Sequence, residues 1–121
     1  MINSKDKGKR GEREFSHLST RHGFPAYRGQ QYSGSPGSPD VVCPLLSDFH
    51  FEIKRVERFN LYDALAQARR DAGDKIPIVA HRKNHCEWVV IMPAEYFFEM
   101  AREWIGGHQE IQDYDINFGS E

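Results

Sequence analysis

The residue types that hydrolytic chemistry needs occur together near the middle of the chain. Residues 48–55 read DFHFEIKR, in which apolar and polar side chains alternate with the period of a half-buried β-strand. Because successive side chains of a strand face opposite ways, Glu52 and Lys54 are expected side by side on one face. Asp40 supplies a second carboxylate a short way upstream. Two carboxylates beside an amine predict a divalent-metal hydrolysis site.

These groups have a defined use in phosphodiester hydrolysis. The reaction requires charge neutralisation at the scissile phosphate and a water molecule activated at neutral pH, and Mg²⁺ held by carboxylates provides both. Asp40 and Glu52 on paired strands would suffice as ligands, and the carbonyl oxygen of Ile53 could add another. Lys54 could position the attacking water and stabilise developing negative charge. The expected cofactor is Mg²⁺, with Mn²⁺ able to substitute.

A first helix is predicted over residues 5–18, and Gly23 supplies the left-handed position at which helices commonly end. Glu12 lies on the shoulder of its inner stripe. Taken alone, Glu12 reads as a solvated residue that pairs with Arg13 or Ser16. The stripe itself runs through Gly11, Phe15, Leu18 and His22.

Short strands are predicted on both sides of a loop rich in Gly, Pro and Ser. Residues 24–32 suggest the first strand, and residues 33–38 are too rich in these types for regular structure. Residues 39–46 follow as a second strand that Asp40 opens. A two-residue turn would join this strand to residues 48–56 as a hairpin.

A second helix is predicted between Asn60, a helix cap, and Gly73, a helix stop. Gln67 lies close to its apolar stripe, which should pack on the sheet. The stripe consists of Leu61, Ala64, Leu65, Ala68 and Ala72.

The rest of the predicted domain consists of two strands and a helix. The strands cover residues 76–81 and 87–92, and Pro93 can start the helix. The resulting order α-β-β-β-α-β-β-α predicts an α/β sandwich with a mixed sheet. The core face of the last helix is expected to comprise Phe97, Phe98, Ala101, Trp104 and Ile105, with a dimer interface as the alternative for its aromatic residues.

The size and charge of the chain limit what it can be. The length of 121 residues predicts one domain, which covers residues 1–107, and residues 108–121 are expected to form an acidic C-terminal extension. Residues 1–58 carry ten Lys and Arg against seven Asp and Glu, whereas residues 85–121 carry one against eight. Most of the domain could therefore face a polyanion despite a net charge of −2.

The cysteines and the hydropathy of the chain indicate its compartment. Cys43 and Cys86 form no CxxC pair, so neither a zinc site nor a disulfide framework is indicated. No apolar run reaches the length of a membrane span. A reduced, cytoplasmic setting is therefore expected.

The acidic residues and their order resemble the PD-(D/E)xK nuclease superfamily, whose signature is an Asp followed by Glu-x-Lys on the next strand. Pro-Asp at 39–40 and Glu-x-Lys at 52–54 match this signature. The family commonly adds an acid from the first helix, where Glu12 stands, and a Gln from the helix after the central strand, where Gln67 stands. The resemblance implies a restriction-endonuclease-like αβββαβ core, its mixed central sheet flanked by helices, and a metal-dependent endonuclease.

Within the superfamily, the likeness is greatest to archaeal-type Holliday junction resolvases and related phage-encoded nucleases. It is carried by residues 7–14 (KGKRGERE), Gly-Phe at 23–24, Arg28 and Ser-Gly at 33–34, and it extends from residue 7 to about residue 92. These resolvases are homodimers that cut four-way DNA junctions symmetrically. The resemblance therefore implies branched DNA as the substrate and a two-fold homodimer.

The family assigns roles to matching positions of this chain. The catalytic set so implied is Glu12, Ser33, Asp40, Glu52, Lys54 and Gln67. Asp40 and Glu52 would hold the metal with the Ile53 carbonyl, while Glu12 assists directly or through water. Salt-dependent phosphate contacts with little sequence preference are expected from Lys9, Arg10, Arg28, Ser33, Gly34 and Arg55.

Two other functions fit the same residues. One is a nicking, flap-type or genome-processing nuclease, which cleavage of different DNA forms would distinguish. The other is a nuclease-like fold retained only to bind DNA or a protein partner. His50 shares the face of Glu52 and Lys54, so it either lines the site or, as the favoured reading, has a structural or solvated role.

Overall fold

The computed structural model describes residues 4–29 and 39–107, and the side chains of the first helix from residue 7 onward. The predicted loop at 33–38 and the extension at 108–121 lie outside these residues. The helices and strands are α1 (Ser4–Arg21), β1 (Tyr27–Arg28), β2 (Val41–Val42), β3 (Phe49–Arg55), α2 (Leu61–Ala72), β4 (Ile76–Arg82), β5 (Val89–Ile91) and α3 (Ala94–Gly106).

The five described strands form one mixed sheet in the order β1-β2-β3-β4-β5. Strands β3 and β4 are parallel and the other neighbouring pairs are antiparallel. A parallel pair needs a crossover connection, which α2 provides. The predicted α/β class, the αβββαβ order and the mixed sheet flanked by helices are confirmed.

Helix α1 lies on one face of the sheet through a narrow apolar contact. Phe15 is buried against Phe51 and Ile53 of β3, and its ring centroid lies 5.8 Å from that of Phe51. The helix ends at Arg21, two residues before Gly23 adopts a φ of +93°. His22 therefore lies beyond the helix and is exposed, so its place in the inner stripe was predicted wrongly.

Helix α2 covers the opposite face of the sheet with small side chains. The Asn60 side chain accepts a hydrogen bond from the Asp63 backbone N–H at 3.1 Å, which confirms the predicted cap. Ala64 and Ala68 are buried against Val79 of β4. Because alanine projects little from the helix, α2 can approach the sheet closely.

Strand β3 is buried on both faces, and the prediction of a half-buried strand was wrong. The side chains of His50 and Glu52 lie on its polar face, yet only 2% and 3% of these residues is exposed. The alternation of the sequence is real, but α2 covers the face that the pattern assigned to solvent. The polar groups there are thus held in an environment that excludes water.

The predicted second strand is shorter than expected. Its ordered pairing is confined to Val41–Val42, and residues Pro44–Leu46 form a single 3₁₀ turn. Pro44 has no N–H to give to a sheet, so the ladder stops before it. The antiparallel pairing with β3 is nevertheless present, with Val41 opposite Phe51. The predicted two-residue turn is wrong, because residues 43–48 connect the two strands.

Helix α3 does not supply a core face, contrary to the prediction. None of its thirteen residues is buried in the described chain, and Phe97 and Trp104 are 56% and 60% exposed. The amphipathic pattern predicted the helix but could not show what it packs against. The alternative, a dimer interface, stays a prediction.

Candidate functional site

The carboxylate of Asp40 is held against the middle of β3. Its Oδ2 accepts a hydrogen bond from the backbone N–H of Ile53 at 2.8 Å, between Glu52 and Lys54. Its own N–H donates to the Phe51 carbonyl at 3.0 Å. These two bonds fix residue 40 beside the Glu-x-Lys triplet.

The glycine that directly follows β1 supports Asp40 from the other side. The Gly29 N–H donates to the Asp40 carbonyl at 2.9 Å. A Cβ at residue 29 would overlap the carbonyl oxygen of Pro39, so only glycine permits this close approach. Asp40 is therefore held on one side by the residue after β1 and on the other by β3, although it lies just outside the two-residue strand β2.

Glu12 projects from α1 towards the same region. Its Oε1 accepts a hydrogen bond from Arg28 Nε at 2.8 Å, and only 12% of its side chain is exposed. Burial raises the pKa of Glu12, the hydrogen bond from Arg28 opposes the rise, and the charge of Asp40 adds to it. The Glu12 carboxylate is therefore paired with Arg28, while the Ser16 hydroxyl donates to the Glu12 backbone carbonyl at 2.8 Å and Arg13 contributes only a smaller charge effect.

Glu52 is the most enclosed acid of the site. Its Oε1 lies 2.9 Å from Nε2 of His50, and the solvated reading of His50 is wrong because both residues are buried. Burial raises the pKa of Glu52, the hydrogen bond with His50 opposes this, and Asp40 and Asp71 raise it further. An acid in this position gains from any cation that neutralises it.

Lys54 is held by the helix that covers the polar face. Its Nζ donates to Oε1 of Gln67 in α2 at 3.1 Å. Both side chains line a surface pocket of about 240 Å³, together with Arg58 and Asn60. The ammonium is thereby oriented but open to a ligand.

The sequence reasoning missed Asp71 as a member of the site. Asp71 lies one helical turn beyond Gln67, on the side of α2 that carries the buried Ala64 and Ala68. The spacing i, i+4 could have found it, because it places residues 67 and 71 above the same strand. The position of α2 over the polar face of β3 could not be read from that spacing.

The described residues contain a group that could bind a metal ion. Three potential ligand atoms lie within 4.8 Å of one another, one each from His50, Glu52 and Asp71. Carboxylate and imidazole donors suit divalent cations. The charge of Asp40 raises the pKa of Glu12 and also that of Glu52. This repulsion between Asp40 and each of the two glutamates favours a bound cation.

The predicted DNA contacts lie in different surroundings. Lys9 is half-buried and Arg10 exposed on α1, while Arg28 is paired with Glu12. The Arg55 side chain is only 10% exposed and lies 3.5 Å from Glu14 and 3.6 Å from Glu57, so these acids already engage it. Ser33 and Gly34 lie outside the described residues.

Comparison with known proteins assigns the chain to no family. No protein-family model matches it, and no curated protein matches its sequence. None of the helices in the described ranges combines the length and apolar character that crossing a membrane requires.

Proposed function

We propose that this protein is a Mg²⁺-dependent, structure-selective DNA endonuclease of the PD-(D/E)xK type, with Holliday junction resolution as its most specific form. The observation that carries the proposal is the hydrogen bond from the Ile53 N–H to Asp40 Oδ2. It joins the upstream acid to the strand that bears Glu52 and Lys54. The position of Asp40 beside these two residues supports a joint role for two carboxylates and one amine.

The donor set fits a hard divalent cation. Asp40 and Glu52 offer carboxylate oxygens, which Mg²⁺ prefers, and Mn²⁺ accepts the same ligands. Both the Glu12 and the Glu52 pKa are raised in part by the charge of Asp40. A cation bound among these groups would relieve that repulsion and supply charge neutralisation at the phosphate and activation of water.

The residues of the chain then have separate tasks. Asp40 and Glu52 hold the cation, with the Ile53 carbonyl as a further ligand and Glu12 as an assisting acid. Lys54 orients the attacking water and stabilises negative charge on the phosphate. Gln67 keeps the Lys54 ammonium in place through the 3.1 Å hydrogen bond.

The proposed substrate is branched DNA, and the proposed assembly is a homodimer. Lys9 and Arg10 lie on α1 close in sequence to Glu12 and would contact phosphates. A two-fold dimer would place two sites for paired cuts. Both statements rest on the family resemblance.

A cleavage assay with matched aspartate variants tests the enzymatic role. Wild type, Asp40→Ala and Asp48→Ala are incubated with Mg²⁺ or Mn²⁺ and four-way, nicked, flap and linear DNA. Asp48 is exposed directly before β3 and controls for loss of an acid. We expect wild type and Asp48→Ala to cleave the junction by two symmetric cuts, and Asp40→Ala to be inactive.

A lysine variant separates metal binding from catalysis. Lys54→Met should lower the turnover rate about 10²–10³-fold, as loss of a transition-state donor does, while metal affinity is retained. Equal cleavage by wild type and Asp40→Ala, or none by either on every DNA form, would leave only the non-catalytic DNA-binding alternative. A preference for nicked or flap DNA would favour the other nuclease class.

A further inference from the structure

The buried acid at the centre of the site has an unusual partner. His50 and Glu52 are neighbours on the same face of β3, and their side chains meet at 2.9 Å beneath α2. Each is almost wholly enclosed. Enclosure restricts both side chains, because closely packed interiors leave little room for other rotamers.

Stability alone does not account for this arrangement. A buried charged or polar pair is often no better than apolar side chains of similar volume, because both groups lose their hydration. Asp71 adds a second carboxyl within 4.8 Å, and its hydrogen bond with Glu52 raises the pKa of Glu52 and so works against the ionised form. A cluster that stabilised only the fold would not need this second carboxyl.

We propose that His50 is a positioning residue, which holds Oε1 of Glu52 so that the second carboxylate oxygen is presented to the metal. This inference rests on the proposed function and concerns how its metal site is pre-organised. A carboxylate held by a neighbouring donor loses little freedom when it binds a cation, so the affinity is higher. His50 acts through Glu52 and does not itself touch the substrate.

Two substitutions of His50 distinguish a donor at the position of Nε2 from a donor at the position of Nδ1. The amide nitrogen of Gln can occupy the place of Nε2 and donate to Glu52. The amide of Asn lies nearer the backbone, at the place of Nδ1, and cannot reach the carboxylate. His50→Gln and His50→Asn are thus both polar but differ in the contact that matters.

A control histidine lies on the neighbouring strand. His81 is opposite Lys54 in the β3–β4 register, and its Nε2 lies 3.0 Å from the Val56 carbonyl oxygen. It stacks on Phe59 with ring centroids 4.0 Å apart. His81→Leu therefore removes a half-buried imidazole near the site without removing a partner of Glu52.

The experiment measures metal binding by the whole chain without DNA. Mn²⁺ and Mg²⁺ dissociation constants are obtained by calorimetric titration, with circular dichroism as the check of folding. His50→Asn should weaken both metals about 10–100-fold, whereas His50→Gln retains most of the affinity. His81→Leu should bind as wild type does. His50→Leu, which fills the space without a donor, gives the same comparison if the Asn variant does not fold.

Three outcomes would overturn the inference, and one of them would also overturn the proposed function. Affinity unchanged in both His50→Asn and His50→Leu would reject the positioning role alone. Loss in His50→Gln as large as in His50→Asn, and larger for Mn²⁺ than for Mg²⁺, would make His50 a direct ligand, since imidazole prefers Mn²⁺. Absence of metal binding in wild type would remove both this inference and the proposed function.

Discussion

Glu52 is a residue whose burial is costly for the fold and which, under the proposed function, serves the chemistry. Its carboxylate is enclosed, and burial raises its pKa above the unfolded value of 4.5, with further contributions from Asp40 and Asp71. The folded protein therefore holds a proton on this group more tightly than the unfolded chain does. Stability from this group is present at low pH and is lost as the pH rises through the raised pKa.

Replacing this acid by its amide should separate stability from metal binding. At neutral pH, metal-free Glu52→Gln should melt at a higher temperature than wild type, because the buried charge is removed and an amide can still contact His50. The difference should shrink as the pH falls towards 4.5 and vanish well below it, where the Glu52 carboxyl is protonated in both states. Addition of Mg²⁺ should raise the melting temperature of wild type only.

An exposed glutamate of α3 is the control for that variant. Glu99→Gln makes the same chemical change at an exposed position and should alter the free energy of unfolding by less than about 0.5 kcal/mol. A lower melting temperature of metal-free Glu52→Gln would contradict this account of the buried charge.

At the scale of elements, the distance between α1 and β3 depends on one glycine. A Cβ at residue 11 would overlap the Cβ of Arg55, whereas a Cβ at Gly8, one turn earlier, would meet open space. Glu12 follows Gly11 directly, so the close approach of the two elements also determines where this acid lies. The same contact between Gly11 and Arg55 therefore determines both how α1 packs on β3 and where Glu12 lies.

Two glycine-to-alanine variants of α1 test this dependence. Gly8→Ala should raise the free energy of unfolding by up to about 1 kcal/mol, because alanine favours a helix. Gly11→Ala should lower it by about 1–3 kcal/mol through overpacking, and should reduce metal affinity as Glu12 moves. The measurements are denaturant unfolding and metal titration. Equal stabilisation by both substitutions would show that α1 does not rest on β3 as described.

Prediction from sequence succeeded where a local signal marks an element. Asn60 and Gly73 delimit α2 by a cap and a stop, and the structure has that helix between them. Prediction failed where burial depends on a partner from elsewhere in the chain. Alternation marked the polar face of β3 but could not show that His50 and Glu52 on that face would be buried, and the stripe of α3 did not reveal its exposure.

The site residues divide in the same way. The proximity of Asp40 to β3 could be anticipated because a hairpin places neighbouring strands together. The contacts of Arg55 could not, since Glu14 and Glu57 come from separate parts of the chain and the interaction follows only from their placement. The catalytic roles themselves stay predictions.

At the scale of the whole molecule, charge is distributed unevenly between the two ends of the chain. Basic residues predominate before residue 58, and acidic residues predominate after residue 85. Lys9 lies one turn before Glu12 on the same side of α1, while Arg102 lies on α3 in the acidic third. A polyanion that reaches the proposed site should therefore sense Lys9 and not Arg102.

Removal of one positive charge at each place tests this orientation. Lys9→Gln should weaken junction binding and reduce the slope of log K against log salt concentration by about 1, as expected for one lost phosphate contact. Arg102→Gln makes the same change in net charge and should leave both quantities unaltered. Fluorescence anisotropy over a series of salt concentrations provides the measurement. Equal effects of both substitutions would indicate that DNA responds to the net charge of the protein and not to a phosphate contact of Lys9.

The candidate site combines residues from separate parts of the chain, and this has a consequence for the chain during its synthesis. Glu12, Asp40 and Glu52 belong to different elements, and Glu52 is enclosed only when α2 closes over β3. Contacts between distant positions form late, because long loops must first be closed. Under the proposed function, a polypeptide still emerging from the ribosome has no cutting centre, so DNA is exposed to cleavage only by molecules whose synthesis has passed α2.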